Sequence, residues 1–184
     1  FFNMGLFKSF NKYNKNIAII DKEYSNLSYK QVLTETDEIK KEIKNRSLIL
    51  IVSENSLGSL LAYIFCIIND HVGIIIDSKT TKQNILKIFK NYQPNYIFLS
   101  KKTKSIFKKI CSEKHTFFDQ SLMKNKINKK KKLNKSLSLL LSTSGSMGSI
   151  KFVKLSRNNL KHNADSIISY LKINKKDSAI TNLP

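Results

Sequence analysis

The sequence predicts an α/β fold, a mostly parallel sheet with helices on both faces. Three observations carry that prediction. Short continuous apolar runs recur along the chain (SLILIV at 47–52, VGIII at 72–76, NYIFL at 95–99 and LSLLL at 137–141), and strands buried on both faces read that way. Segments with apolar residues at helical spacing separate the first three of these runs, as amphipathic crossover helices do. Strand, helix and strand in repeated order define a parallel sheet covered on two sides.

Taken in order, IAII (17–20) is a short β-branched run and predicts a strand. Ser28 followed by Gln31 has the spacing of a capping box, and Val32, Thr36, Ile39 and Ile43 continue at helical spacing. After SLILIV, either Asn55 or Ser56 caps a helix carrying Leu57, Leu60, Leu61, Ile64, Phe65 and Ile68 on one face. VGIII is closed by Asp77 and Ser78, where Asp77 is expected to cap the next turn rather than act in catalysis. Ile85, Ile88, Phe89 and Tyr92 mark another helix, stopped by Pro94, and NYIFL follows as a strand. Beyond Ser100 the pattern weakens. Ile106, Phe107 and Ile110 suit a short helix, HTFF (115–118) a brief strand, and residues 119–136 read as a lysine-rich linker or surface loop. Order resumes with LSLLL, then KFVKL (151–155). Ser156 caps a helix carrying Leu160, Ala164, Ile167 and Leu171, and AITNL (179–183) predicts one more strand.

The formal net charge is +20, yet of 33 cationic side chains only Arg46 and Arg157 are arginine. Nucleic-acid readers favour the bidentate guanidinium fork, so the charge argues for a lysine-biased composition and against a nucleic-acid partner. Hydrophobic residues make up 41% of the chain, a globular rather than disordered composition. Cys66 and Cys111 show no C-x-x-C spacing, and Cys66 reads as a small core residue; together they suit a reducing, cytoplasmic setting. The longest apolar run, LGSLLAYIFCII, is too short to span a bilayer. His71, His115 and His162 lack ligand spacing and read as surface or helix residues, so no metal site is expected. The chain begins at Phe1 and stops at Pro184, directly after an apolar stretch, and is read as a fragment.

Residues 142–160, STSGSMGSIKFVKLSRNNL, hold two of the five glycines, three apart, in a hydroxyl-rich segment leaving a strand. Glycines let a backbone turn sharply and approach a ligand, and successive N–H groups in such a turn suit an anion. Thr143, Ser144 and Ser146 add hydroxyls and Lys151 a mobile positive charge, so the segment is either a phosphate cradle or an ordinary polar turn. It is not a Walker loop, which needs Gly at Ile150 and Ser or Thr at Phe152. Nor is it a nucleophile elbow, because S-G-S-M-G is one residue out of the G-x-S-x-G frame.

The segment resembles the phosphate-loop signature of the adenylate-forming enzymes, the superfamily of acyl-CoA synthetases, luciferases and peptide-synthetase adenylation domains. Thr143, Ser144, Gly145, Ser146, Gly148, Lys151 and Val153 match its T-S-G-[ST]-T-G-x-P-K-G-V form, and Ser156, Asn159 and Leu160 match the helix opening that follows. IAIIDKEYSNLSYKQV, LILIVSENSLGSLLAYIFCIINDHVGIIID, QPNYIFLS and AITNLP resemble further stretches of the same family, leaving only the lysine-rich region without likeness. Met147, Ile150 and Phe152 stand where the family has Thr, Pro and Gly.

The resemblance implies that residues 1–184 are the N-terminal part of an AMP-binding domain whose remainder is absent. It implies an ATP-dependent ligase that converts a small carboxylic acid to an acyl-adenylate, with Mg2+, and passes the acyl group to a CoA or carrier-protein thiol. Thr143, Ser144, Gly145, Ser146, Gly148 and Lys151 would hold the ATP phosphates. The family's catalytic residues and magnesium ligand would lie beyond this chain, which alone should be inactive. Two other readings stay open: a basic module that binds nucleic acid or an anionic surface, and a non-catalytic phosphate-binding remnant.

Overall fold

The computed structural model describes residues 10–24, 26–127, 132–143 and 151–181. Among them a seven-stranded sheet runs in the order β6-β7-β5-β3-β4-β8-β9. Its parallel core is β3 (Leu48–Ser53), β4 (Val72–Asp77), β5 (Tyr96–Ser100) and β8 (Leu137–Thr143). The margins are antiparallel: β7 (Gln120–Asn125) pairs with β5 and with β6 (Cys111–Phe117), and β9 (Lys151–Ser156) pairs with β8. The sheet is therefore mixed. Parallel pairing is confined to strands joined through helices, because only a crossover returns the chain in the same direction.

Four of the predicted helices form as α-helices, and each starts at a side-chain cap. Helix α1 (Tyr29–Glu42) opens with the complete Ser28–Gln31 capping box, α2 (Leu57–Ile68) with Ser56, and α3 (Lys82–Tyr92) with Thr81. Tyr92 ends α3, Gln93 takes a left-handed φ of 42°, and Pro94 follows. Helices α1 and α2 cover one face of the sheet, enclosing Val32, Ile39, Leu61, Phe65 and Cys66 with Ile49, Ile51 and Phe98. Helix α3 covers the other, with Ile85, Ile88 and Phe89 against Leu50, Ile74, Ile97 and Phe107. Cys66 and Cys111 sit in these separate cores, so they are free thiols on opposite faces of the sheet. Burial raises both, the Cys111 thiol to about 11.

Several expectations are corrected. The 17–20 run forms β1 (Ile17–Ile19), which pairs antiparallel with β2 (Leu27–Ser28) outside the main sheet. The short helix after Ser100 is a 3-10 turn, Lys104–Phe107, and the HTFF strand extends back to Cys111. The 119–136 linker loses its first residues to β7, whose Gln120, Ser121, Leu122 and Met123 are buried between two neighbours. Residues 178–181 form no strand: β9 is the last strand of the sheet order and Ile180 is 92% exposed. Residues 182–184 lie outside the described residues. Helix α4 (Arg157–Leu171) has the Ser156–Asn159 capping box but no buried residue, with Ile167, Ile168 and Leu171 exposed.

His71 is the largest reversal. It is 2% exposed, its ring lies 5.0 Å from that of Phe65, and Nδ1 accepts the Ser47 N–H at 3.2 Å. An accepting Nδ1 puts the proton of the neutral ring on Nε2, which is buried with no partner among the described residues. Burial first, then the charges of Arg46 and Lys40, lowers its pKa from 6.5 to about 4. Because the folded value is the depressed one, the unfolded chain binds the extra proton between these limits. The stabilisation is fully present above pH 6.5 and is lost as pH falls toward 4. A shift of this size corresponds to about 3 kcal/mol. Urea unfolding from pH 7 to 4 is expected to show that loss in the native chain and a shallower one in His71→Phe; equal slopes would reject the assignment.

Candidate functional site

The segment singled out in the sequence joins β8 to β9. The β8–β9 ladder pairs Thr143 with Lys151, the last and first residues of the two strands, and Thr143 Oγ1 donates to the Lys151 carbonyl at 3.4 Å. The last described residue before the segment and the first after it therefore meet at one point of the sheet. Ser144, Gly145, Ser146 and Gly148, with Met147 and Ile150, lie outside the described residues.

That point lies at the carboxyl edge of the parallel strands. β4 and β8 pair Ile75 with Leu141, which sets Asp77, the last residue of β4, level with Thr143. In open α/β sheets ligands bind outside this edge. Asp77 Oδ1 accepts the Lys79 N–H at 2.7 Å, the turn-capping role expected of it. Lys151 and Thr143 are exposed. Phe152, where the related pattern has Gly, does not load bulk onto this edge: its ring packs edge-on against Tyr92 at 5.2 Å, on the α3 side of the sheet. Side chains alternate along a strand, so Lys151 points to the opposite side from that ring.

Two polar clusters escaped the sequence reading. At the amino end of α2, Asp119 accepts the Gly58 N–H at 2.9 Å, the Ser56 hydroxyl at 2.7 Å and the Gln120 amide at 3.1 Å. A carboxylate there satisfies donors that a helix start leaves unpaired. At the opposite edge of the sheet, the two arginines converge on Asp70: Arg46 Nε lies 3.4 Å and Arg157 Nη2 2.8 Å from its carboxylate. The signal for the second cluster was present in the composition, since an arginine kept among so many lysines marks a place where a planar fork is needed. Nothing local in the sequence announced the first. Among the described residues, no group of three or more His, Cys, Asp or Glu is placed to hold a metal ion, and no helix is long and apolar enough to cross a membrane.

No protein-family model and no curated protein matches the chain. Solved structures do. The o-succinylbenzoate coenzyme A synthetase MenE from Bacillus subtilis, in complex with AMP, is similar with a TM-score of 0.70 and 14% identity, over 92% of this chain and 46% of that one. Apo MatB from Rhodopseudomonas palustris gives 0.69 and 14%, over 86% and 35%. The Vibrio cholerae adenylation domain AlmE, in complex with glycyl-adenosine-5'-phosphate, gives 0.68 and 15%, over 91% and 37%. All three are adenylate-forming enzymes, and this chain has their fold over the stretch it spans, which is about half or less of each of those chains. The proteins that the loop sequence resembles and those whose fold the backbone shares are thus the same group.

Proposed function

We propose that this chain is the phosphate-holding part of an ATP-dependent carboxylate-activating ligase. The observation that supports the reading is the Thr143–Lys151 pair at the carboxyl edge of the parallel strands, formed by the first and last residues of T-S-G-S-M-G-S-I-K. In the reaction, a carboxylate oxygen attacks the α-phosphorus of ATP. The bond to the bridging oxygen of the β-phosphate breaks, leaving an acyl-adenylate and pyrophosphate. The acyl group then passes to a thiol, of CoA or of a carrier protein, with release of AMP.

Thr143, Ser144, Gly145, Ser146 and Gly148 would donate hydroxyl and backbone hydrogen bonds to the β- and γ-phosphates, and Lys151 would offset their charge. Donors fixed before the reaction stabilise the leaving pyrophosphate without reorganising. Mg2+ would supply further charge compensation on the phosphates. No cluster of His, Cys, Asp or Glu among the described residues fits it. A cytoplasmic setting accords with the two buried, unbridged thiols.

The test is acid-dependent exchange of labelled pyrophosphate into ATP by the product of the complete gene, across a panel of carboxylic acids. Lys151→Ala is expected to slow exchange about 10- to 100-fold, which is ~1.4–2.7 kcal/mol of lost stabilisation. Unchanged exchange in that variant would remove Lys151 from the site.

A further inference from the structure

A cleft of about 660 Å3 opens at the amino edge of the parallel strands, lined by Arg46, Asp70, Lys135, Ser138, Arg157 and Lys161 among others. Strand β8 runs its seven residues from this cleft to Thr143, so the cleft lies about 20 Å from Thr143 at ~3.3 Å per residue.

Three independent features favour an anion there. The first is charge. Four cationic side chains face one carboxylate, and that carboxylate is already spanned by both guanidiniums, leaving the Arg46–Asp70–Arg157 trio with net positive charge. Lys161 is tied to Asp165 at 2.5 Å, and Lys135 adds to the excess. The second is Ser138. It is 2% exposed and lines the cleft, yet its hydroxyl has no hydrogen-bond partner among the described residues. A buried hydroxyl left unpaired is costly, so a hydrogen-bond partner at this point is favoured. The β8–β9 ladder breaks register between Leu137 and Leu139, at this serine, and such irregularities re-aim a side chain. The third is the start of α4, whose cap Ser156 and first residues Arg157 and Asn158 also line the cleft. Helix amino termini favour negative charge.

We propose that this cleft binds a small phosphate monoester. Lys135 and the surplus charge of the Arg46–Asp70–Arg157 trio balance the dianion, the α4 terminus faces it, and the Ser138 hydroxyl donates to it. The volume falls in the range of small-molecule sites and leaves room for an organic group beyond the phosphate. The site does not depend on the ATP reading of the 144–150 segment.

The test titrates the isotopically labelled chain with glycerol 3-phosphate and, separately, with inorganic phosphate, at fixed ionic strength so that general screening is constant. Backbone amides of residues 136–138 and 157–158 are expected to shift saturably, with glycerol 3-phosphate binding at least as tightly as inorganic phosphate. Lys135→Ala combined with Lys161→Ala, both surface changes, should weaken binding about fivefold or more. Ser138→Ala should also weaken it, whereas Lys151→Ala should leave it unchanged. Linear, non-saturating shifts, saturation confined to residues 143 and 151, or full binding by the double variant would overturn the proposal. Displacement by a short DNA duplex at physiological salt would overturn it too, assigning the surface to nucleic acid.

Discussion

Arg46→Ala is expected to destabilise the fold by about 3 kcal/mol, the scale of losing a charged donor from a partly buried network. The guanidinium joins two segments far apart in sequence. Nε donates to the Asp70 carbonyl at 2.9 Å, Nη1 to the Asn134 carbonyl at 3.0 Å, and Nη2 to the Leu137 carbonyl at 2.6 Å. It thereby ties the α2–β4 turn to the start of β8. Asp70 itself sits at a left-handed φ of 58°, a conformation tolerated by Asp but not favoured. Removing Arg46 takes its donors from five carbonyls, those of Asp70, Leu133, Asn134, Lys135 and Leu137, and from one side of the Asp70 carboxylate. Arg46→Lys keeps the charge but cannot reach acceptors in three directions from one ammonium, so it should recover less than half of the loss. Urea denaturation of the three proteins checks this; a lysine variant as stable as the native chain would reduce the contact to simple charge pairing.

Gly58→Ala is the second large effect, and its sign separates two arguments. Helix propensity alone predicts a gain of about 1 kcal/mol for replacing a helical glycine with alanine. Packing predicts the reverse. A Cβ at residue 58 would come within 2.5 Å of Asp119 Oδ1 and 2.5 Å of Gln120 Cγ. Neither is free to move: Asp119 is held by the Gly58 N–H and Ser56, and Gln120 by the Ser59 hydroxyl at 3.2 Å. Overpacking of this kind costs about 1–3 kcal/mol, and displacing Asp119 adds the loss of a helix cap, about 1 kcal/mol. We expect a net loss of about 2 kcal/mol in chemical unfolding. A stabilised variant would mean that the Asp119 contact is loose.

Where local physics and tertiary context agreed, the sequence was readable. The caps at Ser28 and Ser156, the stop at Pro94 and the continuous apolar runs of β3, β4, β5 and β8 are local signals of strong effect, and each element formed. The β6–β7 hairpin was misread because its turn lacks the usual code. Phe117 pairs with Gln120 across only Phe118 and Asp119, and Phe118 takes a φ of 46° where Gly or Asn is the expected residue. That turn is held from outside, by the Tyr24 ring at 5.2 Å and by the α2 terminus bonded to Asp119, contacts no local pattern reveals. His71 was misread for the same reason, since its burial depends on Phe65 and Ser47 rather than on its neighbours in sequence. The 143–151 segment was the most legible candidate feature because its spacing of glycine, hydroxyl and lysine is what a phosphate cradle would need. What the structure adds is the Thr143–Lys151 pair at the carboxyl edge of the parallel strands.

The measurement that bears most directly on this account is pyrophosphate binding to the chain by calorimetry, with glycerol 3-phosphate present in excess to occupy the cleft at the opposite edge. The account predicts saturable binding that weakens about tenfold or more in Lys151→Ala. Equal binding by the native chain and that variant, or none by either, would contradict the assignment of residues 143–151 as the phosphate-holding loop.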